Sequence, residues 1–274
     1  MTTALAPRIE LRTRGRSHGP ITRLVSPGDI GERIKPFVFL DRFEIDPKES
    51  LGIGLHPHSG IATVTVVLEG RISYEETSGT KGVIDSGGVE WMRAGGGVWH
   101  TGGAAGTARV KGFQLWLALP RDQELAPAEA QYLGREQLQS EGPARVILGE
   151  YGKAASRIPA PKNLNYLDVA LKKGETWRYE RPGGHDVAWI AVHWGGVATP
   201  EAVKAGELAV FEEGSGAIEF TALEDTRFVL GSAVKHPHQL ALGNYSVHTS
   251  PEALAKGEAN IAEIGKRLRA EGRI

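Results

Sequence analysis

The stretch TVTVVLEGRISYEE, Thr63 to Glu76, decides the fold class of this chain. Its first half is dense in β-branched residues, Glu69-Gly70 interrupts it, and Ile72 and Tyr74 resume the apolar pattern. That reads as two strands joined by a tight turn. Further along, GGVEWMRAGGGVWH (87–100) leads into ARVKGFQLWLALP (108–120), where Phe113, Leu115 and Leu117 alternate with Gln114 and Trp116. Strand, glycine turn and strand at short spacing is the pattern of a β-sandwich or barrel. The 36 glycines and 15 prolines are scattered along the chain, which supplies turns between many short strands.

Residues 120–145, PRDQELAPAEAQYLGREQLQSEGPAR, are polar and poor in β-branched residues, and read as a connection with at most a helical turn. A second β-rich region follows in LNYLDVAL, VAWIAVHWGG and ELAVFEEGSGAIEF. The end changes character. Ser250 is a helix N-cap, Pro251 fits the first helical position, and Leu254, Ile261, Ile264 and Leu268 form an apolar stripe at helical spacing. Gly257 and Gly265 read as weak points of that helix.

The two β regions share a pattern. A shift of 119 positions lays SGGVEWMRAGGGVWH on AGELAVFEEGSGAIE, matching Gly87 with Gly206, Met92 with Phe211 and Gly95 with Gly214. This is the signature of a duplicated β unit. The same shift puts Glu219 opposite His100, so only the first copy carries histidine there.

The 274 residues include 32 Lys and Arg against 33 Asp and Glu, a balance that gives no drive towards nucleic acid or acidic membranes. RTRGRSHG is a short basic run and reads as solvated. Without cysteine, disulfides and thiolate metal sites are excluded. No apolar run reaches the roughly 18 residues of a membrane span, and the N-terminus lacks a signal-peptide core. The expected location is cytoplasmic.

Chemistry concentrates in histidine. In His56-Pro57-His58 the two imidazoles sit two residues apart, so an extended chain points both to one face. Two ligands do not hold a metal, but His100 ends a glycine turn in a separate β element and offers a third. Imidazoles suit Fe, Zn, Cu, Ni and Mn. The second copy of the tripeptide, His236-Pro237-His238, has no matching third histidine and reads as a surface turn. His185, His193 and His248 read as structural. Trp91, Trp99 and Trp116 read as core or barrel wall, with Trp99 beside His100 able to shape an apolar pocket. Asp41 reads as the anchor of a local turn. No spacing argument brings Asp41, Glu69 or Glu90 to the histidines.

KPFVFLDRFE, HPHSGIATVTVVLEG, VEWMRAGGGVWHTGG and GFQLWLALP, in that order, resemble the pirins, bicupins of the cupin superfamily. YLDVAL, AGELAVFEEGSG and GNYSVHTSPEAL resemble that family's degenerate second cupin and closing helix, so the resemblance spans nearly the whole chain. It implies an all-β fold of two tandem, jelly-roll-like cupin barrels with a C-terminal helix: residues 1–135 carrying the metal site, and residues 136–274 as the degenerate barrel plus helix. It also implies one mononuclear divalent metal, most often iron, on His56, His58 and His100, with Zn, Ni, Mn or Cu as alternatives. Some pirins cleave quercetin oxidatively, and animal members act as nuclear cofactors of transcription. The implied partners are a small aromatic substrate or ligand, or a protein; neither direct nucleic-acid binding nor a membrane is expected.

The chain departs from the family at two acidic positions. Pirins usually continue the third histidine as His-Ser-Glu, with that glutamate as fourth ligand, whereas here the text is His100-Thr101-Gly102. Ala62 likewise stands where pirins usually carry glutamate. Three neutral imidazoles would leave more net charge on the ion, favouring anionic substrates and hydroxide. No protein residue is identifiable as a catalytic base. Two readings follow: a quercetin 2,3-dioxygenase-like enzyme, or a non-catalytic bicupin that binds a ligand or protein partner with a weakened or lost metal site.

Overall fold

A computed structural model describes residues 7–48, 54–77 and 79–274. They are mostly β-strand and divide into two compact units, residues 16–137 with 236–274, and residues 138–235 with the N-terminal residues up to Gly15. The strand–turn–strand reading of Thr63–Glu76 holds: strand Ile61–Glu69 reverses at Gly70, whose φ of +76° favours glycine, into strand Arg71–Glu76.

The first unit contains a seven-stranded antiparallel sheet. In spatial order its strands are Glu129–Leu133, Val89–Arg93, Ile61–Glu69, Val110–Ala118, Phe37–Ile45, Ile21–Val25 and Arg16–His18. The interior strand Ile61–Glu69 is buried on both faces, which is why its sequence is rich in β-branched residues rather than alternating apolar and polar. A four-stranded sheet joins His56–His58, Val98–Ala104, Arg71–Glu76 and Lys81–Asp85.

The second unit repeats this plan. Its seven-stranded sheet runs Ile9–Thr13, Leu208–Phe211, Val187–Trp194, Thr226–Ala233, Leu164–Leu171, Ala144–Leu148 and Ser140–Glu141. The strands matched by the 119-position shift, Val89–Arg93 and Leu208–Phe211, occupy the same place beside the edge. Each is preceded by a positive-φ glycine, Gly87 at +86° and Gly206 at +81°.

The two units divide mid-chain at Gln137/Leu138, and each takes one end of the chain from the other side of that division. Strand Ile9–Thr13 pairs with Leu208–Phe211 in the second unit, while residues 236–274 belong to the first. The physical reason is edge protection. In the first unit the corresponding edge is covered by Glu129–Leu133, so five residues of the expected polar connection form an edge strand. A 3-10 turn follows it at Arg135–Gln137. Two arginines of the short basic run are neutralised within the second unit, Arg12 by Glu201 (3.1 Å) and Arg14 by Glu207 (3.0 Å).

The C-terminal helix spans Pro251–Ala270, with Ser250 Oγ accepting a hydrogen bond from the Ala253 amide at 3.1 Å. Its buried face is Ala253, Gly257, Ile261, Gly265 and Leu268. The two glycines are close-approach points rather than weak points. A Cβ on Gly257 would lie 2.4 Å from both Ser59 Oγ and His248 Nε2, and one on Gly265 would lie 2.8 Å from the Trp99 ring. A short helix at Ile30–Ile34 is too brief to show periodicity in the sequence. No helix among the described residues is long and apolar enough to cross a membrane.

Candidate metal centre

Strand His56–His58 runs antiparallel to Val98–Ala104, pairing His58 with Val98, Pro57 with Trp99, and His56 with His100. Cross-strand partners point to the same face, and so do residues two apart on one strand. That register brings all three imidazoles together. Their ring centroids are 4.4 Å (His56–His100), 5.0 Å (His56–His58) and 5.0 Å (His58–His100) apart. One ligand nitrogen from each lies within 4.8 Å of the others, and no other such cluster occurs among the described residues.

Hydrogen bonding fixes which nitrogens are available. His56 Nδ1 lies 3.0 Å from the Gly54 carbonyl, and His58 Nδ1 lies 3.0 Å from the Tyr245 carbonyl. A carbonyl only accepts, so Nδ1 carries the proton in both rings and Nε2 keeps its lone pair. His100 Nε2 is buried and has no hydrogen-bond partner. A buried polar atom left without one costs about 1–3 kcal/mol, which a ligand on that nitrogen would offset.

The electrostatics agree. Burial pushes all three imidazoles below their usual pKa, that of His58 to about 3; His56 adds to the effect on His58, and His58 and His56 both add to that on His100. At neutral pH the three are therefore uncharged and do not need to lose protons before ligating an ion. Three neutral nitrogen donors, two with their tautomer fixed by backbone carbonyls, fit a divalent transition metal.

Two spaces adjoin the cluster. An open cleft of about 750 Å³ is bordered by His56 and His58 and walled by Phe39, Trp116 and Tyr245. Phe39 and Trp116 stack at 4.0 Å, 6° from parallel, and Trp116 meets His58 edge-on at 4.7 Å. Arg23 lies 3.8 Å over Phe39 and is paired with Asp41, Nη2 to Oδ2 at 3.2 Å. On the other side an inner cavity of about 100 Å³ is lined by His56, Thr65, Glu90, His100, Gly102 and Gln114, among others.

The Pirin family domain matches residues 20–117, the part of the chain that carries the histidine cluster. A pirin-like protein of Caulobacter vibrioides is 32% identical over 221 residues, covering 77% of this chain and 79% of that protein. The chain belongs to the pirin family. A pirin-like protein of Arabidopsis thaliana, At1g50590, is 35% identical over 167 residues, 58% of this chain and 50% of that one. Among solved structures, a quercetin 2,3-dioxygenase from Acinetobacter baumannii superposes with a TM-score of 0.85 at 25% identity, covering 95% of this chain and 98% of the other. The two barrels are thus the tandem cupins of a pirin.

Several residues of this pirin sit elsewhere than the sequence implies. Trp99 does not wall the site: its Nε1 donates to the Ile261 carbonyl of the C-terminal helix at 2.9 Å. The aromatic wall is Trp116 with Phe39. Asp41 anchors no turn but lies within strand Phe37–Ile45, opposite Arg23. His236 is not on the surface. It is buried, its amide donates to the Lys35 carbonyl at 3.1 Å, and its Nε2 faces the Leu119 carbonyl at 3.4 Å. His248 is structural, lying between Ser59 Oγ (3.0 Å) and Glu124 Oε2 (3.1 Å) and fastening the C-terminal segment beside His58. His185 meets Ser232 Oγ at 2.8 Å.

In the second barrel Glu219 is exposed, and its inward neighbours Ile218 and Phe220 pack with Trp177 and Tyr179 in an apolar core. Among the described residues the second barrel brings no histidines together as the first does.

Sequence reasoning missed Glu90. It is 5% exposed and accepts a 2.6 Å hydrogen bond from Thr65 Oγ1. Burial pushes its carboxyl up to about 7, Thr65 opposes this, and the nearby Glu76 adds to it. The available signal was an acidic residue inside the apolar run Val89–Met92, at a position whose neighbours on both sides are core residues. Glu69, by contrast, pairs with Lys111 at 3.4 Å, away from the cluster.

Proposed function

We infer that this pirin holds one mononuclear divalent metal ion, iron first and Zn, Ni, Mn or Cu as alternatives, on Nε2 of His56, His58 and His100. The inference extends to a dioxygenase role on flavonol-like aromatic substrates. The observation that carries it is the convergence of three uncharged imidazoles, one with a buried nitrogen that has no partner. The likeness to a quercetin 2,3-dioxygenase structure supports the substrate class. When bound, iron would supply a Lewis acid for a substrate oxygen and a redox centre for the reaction of the substrate's carbon skeleton with dioxygen.

The chain's own residues have separable tasks. The carbonyls of Gly54 and Tyr245 hold two imidazoles in the ligating tautomer. Phe39, Trp116 and Tyr245 give the cleft an aromatic lining, and its 750 Å³ lies within the range that drug-sized ligands occupy. Arg23 at the mouth is paired with Asp41, so the two together add no net charge to the cleft.

The test has two parts. Protein purified without added metal is analysed for its metal content, and oxygen uptake is then followed with quercetin on the Fe(II)-loaded protein. Stoichiometric Fe(II) binding with quercetin-dependent oxygen consumption is expected. Absence of Fe(II) binding contradicts the metal site, and binding without oxygen consumption contradicts the enzyme.

A second reading is favoured by Gly102, which has no side chain to serve as the fourth ligand: a bicupin with weak metal affinity that binds a ligand or protein partner. Gly102→Glu probes it. The new Cβ would meet the Ser73 carbonyl at 3.0 Å, so the strand must give by a few tenths of an ångström. The variant is expected to bind Fe(II) at least about tenfold more tightly in a chelator competition. Unchanged affinity would show that position 102 does not reach the ion.

A further inference from the structure

The inner cavity contains a carboxyl group that neither the histidine cluster nor the fold accounts for. Glu90 Oε2 takes the Thr65 hydroxyl, while no hydrogen bond engages its other oxygen among the described residues. Strand register explains the placement, since Thr65 and Glu90 are direct cross-strand partners. The rest of the lining is informative. His56 and Gln114 border both this cavity and the open cleft, so the two spaces meet at the cluster. The Gln114 amide makes no hydrogen bond among the described residues and lies where the two spaces adjoin. Gly102 lines the same cavity and contributes no polar group of its own.

A cavity of about 100 Å³ is too small for a flavonoid, but it takes a hydroxyl-bearing edge or about three waters. We propose that it is the hydroxyl-recognition subsite of the centre: the free oxygen of Glu90 accepts a hydrogen bond from a ligand hydroxyl next to the oxygen held at the histidines, and the Gln114 amide makes the second polar contact. The ligand class is a planar aromatic with adjacent hydroxyl and carbonyl oxygens, as in a 3-hydroxyflavone. This rests on the flavonol reading above and deepens it. It assigns the polar selection of the site to a residue from strand Val89–Arg93, outside the histidine strands.

The test is equilibrium binding rather than turnover. Fe(II)-loaded protein is titrated anaerobically, at about pH 8 so that the carboxyl is ionised, with quercetin and with luteolin, which lacks only the 3-hydroxyl. A hydrogen bond to a charged acceptor is a strong one, so Glu90→Gln is expected to weaken quercetin at least about tenfold and to change luteolin by less than about twofold. Gln114→Leu tests the second contact independently, with a smaller loss that is again selective for quercetin. Equal affinity of wild type and Glu90→Gln for quercetin, or an equal loss for both ligands, overturns the proposal while leaving the flavonol reading intact. Wild-type protein that binds neither ligand overturns both.

Discussion

A His100→Ala variant is expected to lose Fe(II) affinity by on the order of a hundredfold or more, measured against a competing chelator. His100 is the one ligand supplied by the second strand, and its Nε2 has no other partner to satisfy. Its removal leaves His56 and His58, two imidazoles on one strand, which cannot enclose an ion. The control is His236→Ala. That residue belongs to an identical His-Pro-His tripeptide, yet its contacts are the carbonyls of Lys35 and Leu119 and no third imidazole approaches. Its replacement should leave metal affinity within about twofold of wild type. Equal losses in the two variants would mean that the affinity comes from scattered histidines and not from the cluster.

Glu90→Gln is expected to stabilise the metal-free protein, and to do so only at higher pH. Burial penalises the charged form of the folded carboxyl and pushes it up to about 7 from the ordinary glutamate value of 4.5. Between those two values the folded protein holds a proton that the unfolded chain has released. Stability therefore falls as pH rises through this window and stays low above it, by about 3 kcal/mol in the limit of full burial. Glutamine is neutral throughout and keeps an acceptor for Thr65. Urea unfolding should show the variant more stable by about 2–3 kcal/mol near pH 8 and equal within about 1 kcal/mol near pH 4.5. A pH-independent difference would place the carboxyl in a more solvated setting than the cavity lining indicates.

The β elements and the helix were legible in the sequence because their signals are local. The β-branched run from Thr63, the turn at Gly70 and the cap at Ser250 each depend on neighbours within a few residues. The histidine cluster was legible for a related reason: period-two alternation forces His56 and His58 onto one face, and the glycine turn before His100 marks a strand start. What escaped depends on register between distant strands. Glu90 meets Thr65 across 25 residues of sequence, and the apolar run around it marks it as unusual without saying what the carboxyl faces. Trp99 and Trp116 look alike as sequence, yet strand parity sends one to the helix and the other to the cleft. The allocation of the chain ends was hidden for the same reason, since an edge strand advertises its partner only through pairing. Gly257 and Gly265 read as helix breakers until the side chains packed against them were seen.

Anomalous diffraction from crystals loaded with Fe(II) tests the central claim most directly. One strong peak is expected, at about 2 Å from Nε2 of each of His56, His58 and His100. A fully loaded crystal with no peak there, or with its peak beside His236 and His238, would contradict the three-histidine centre.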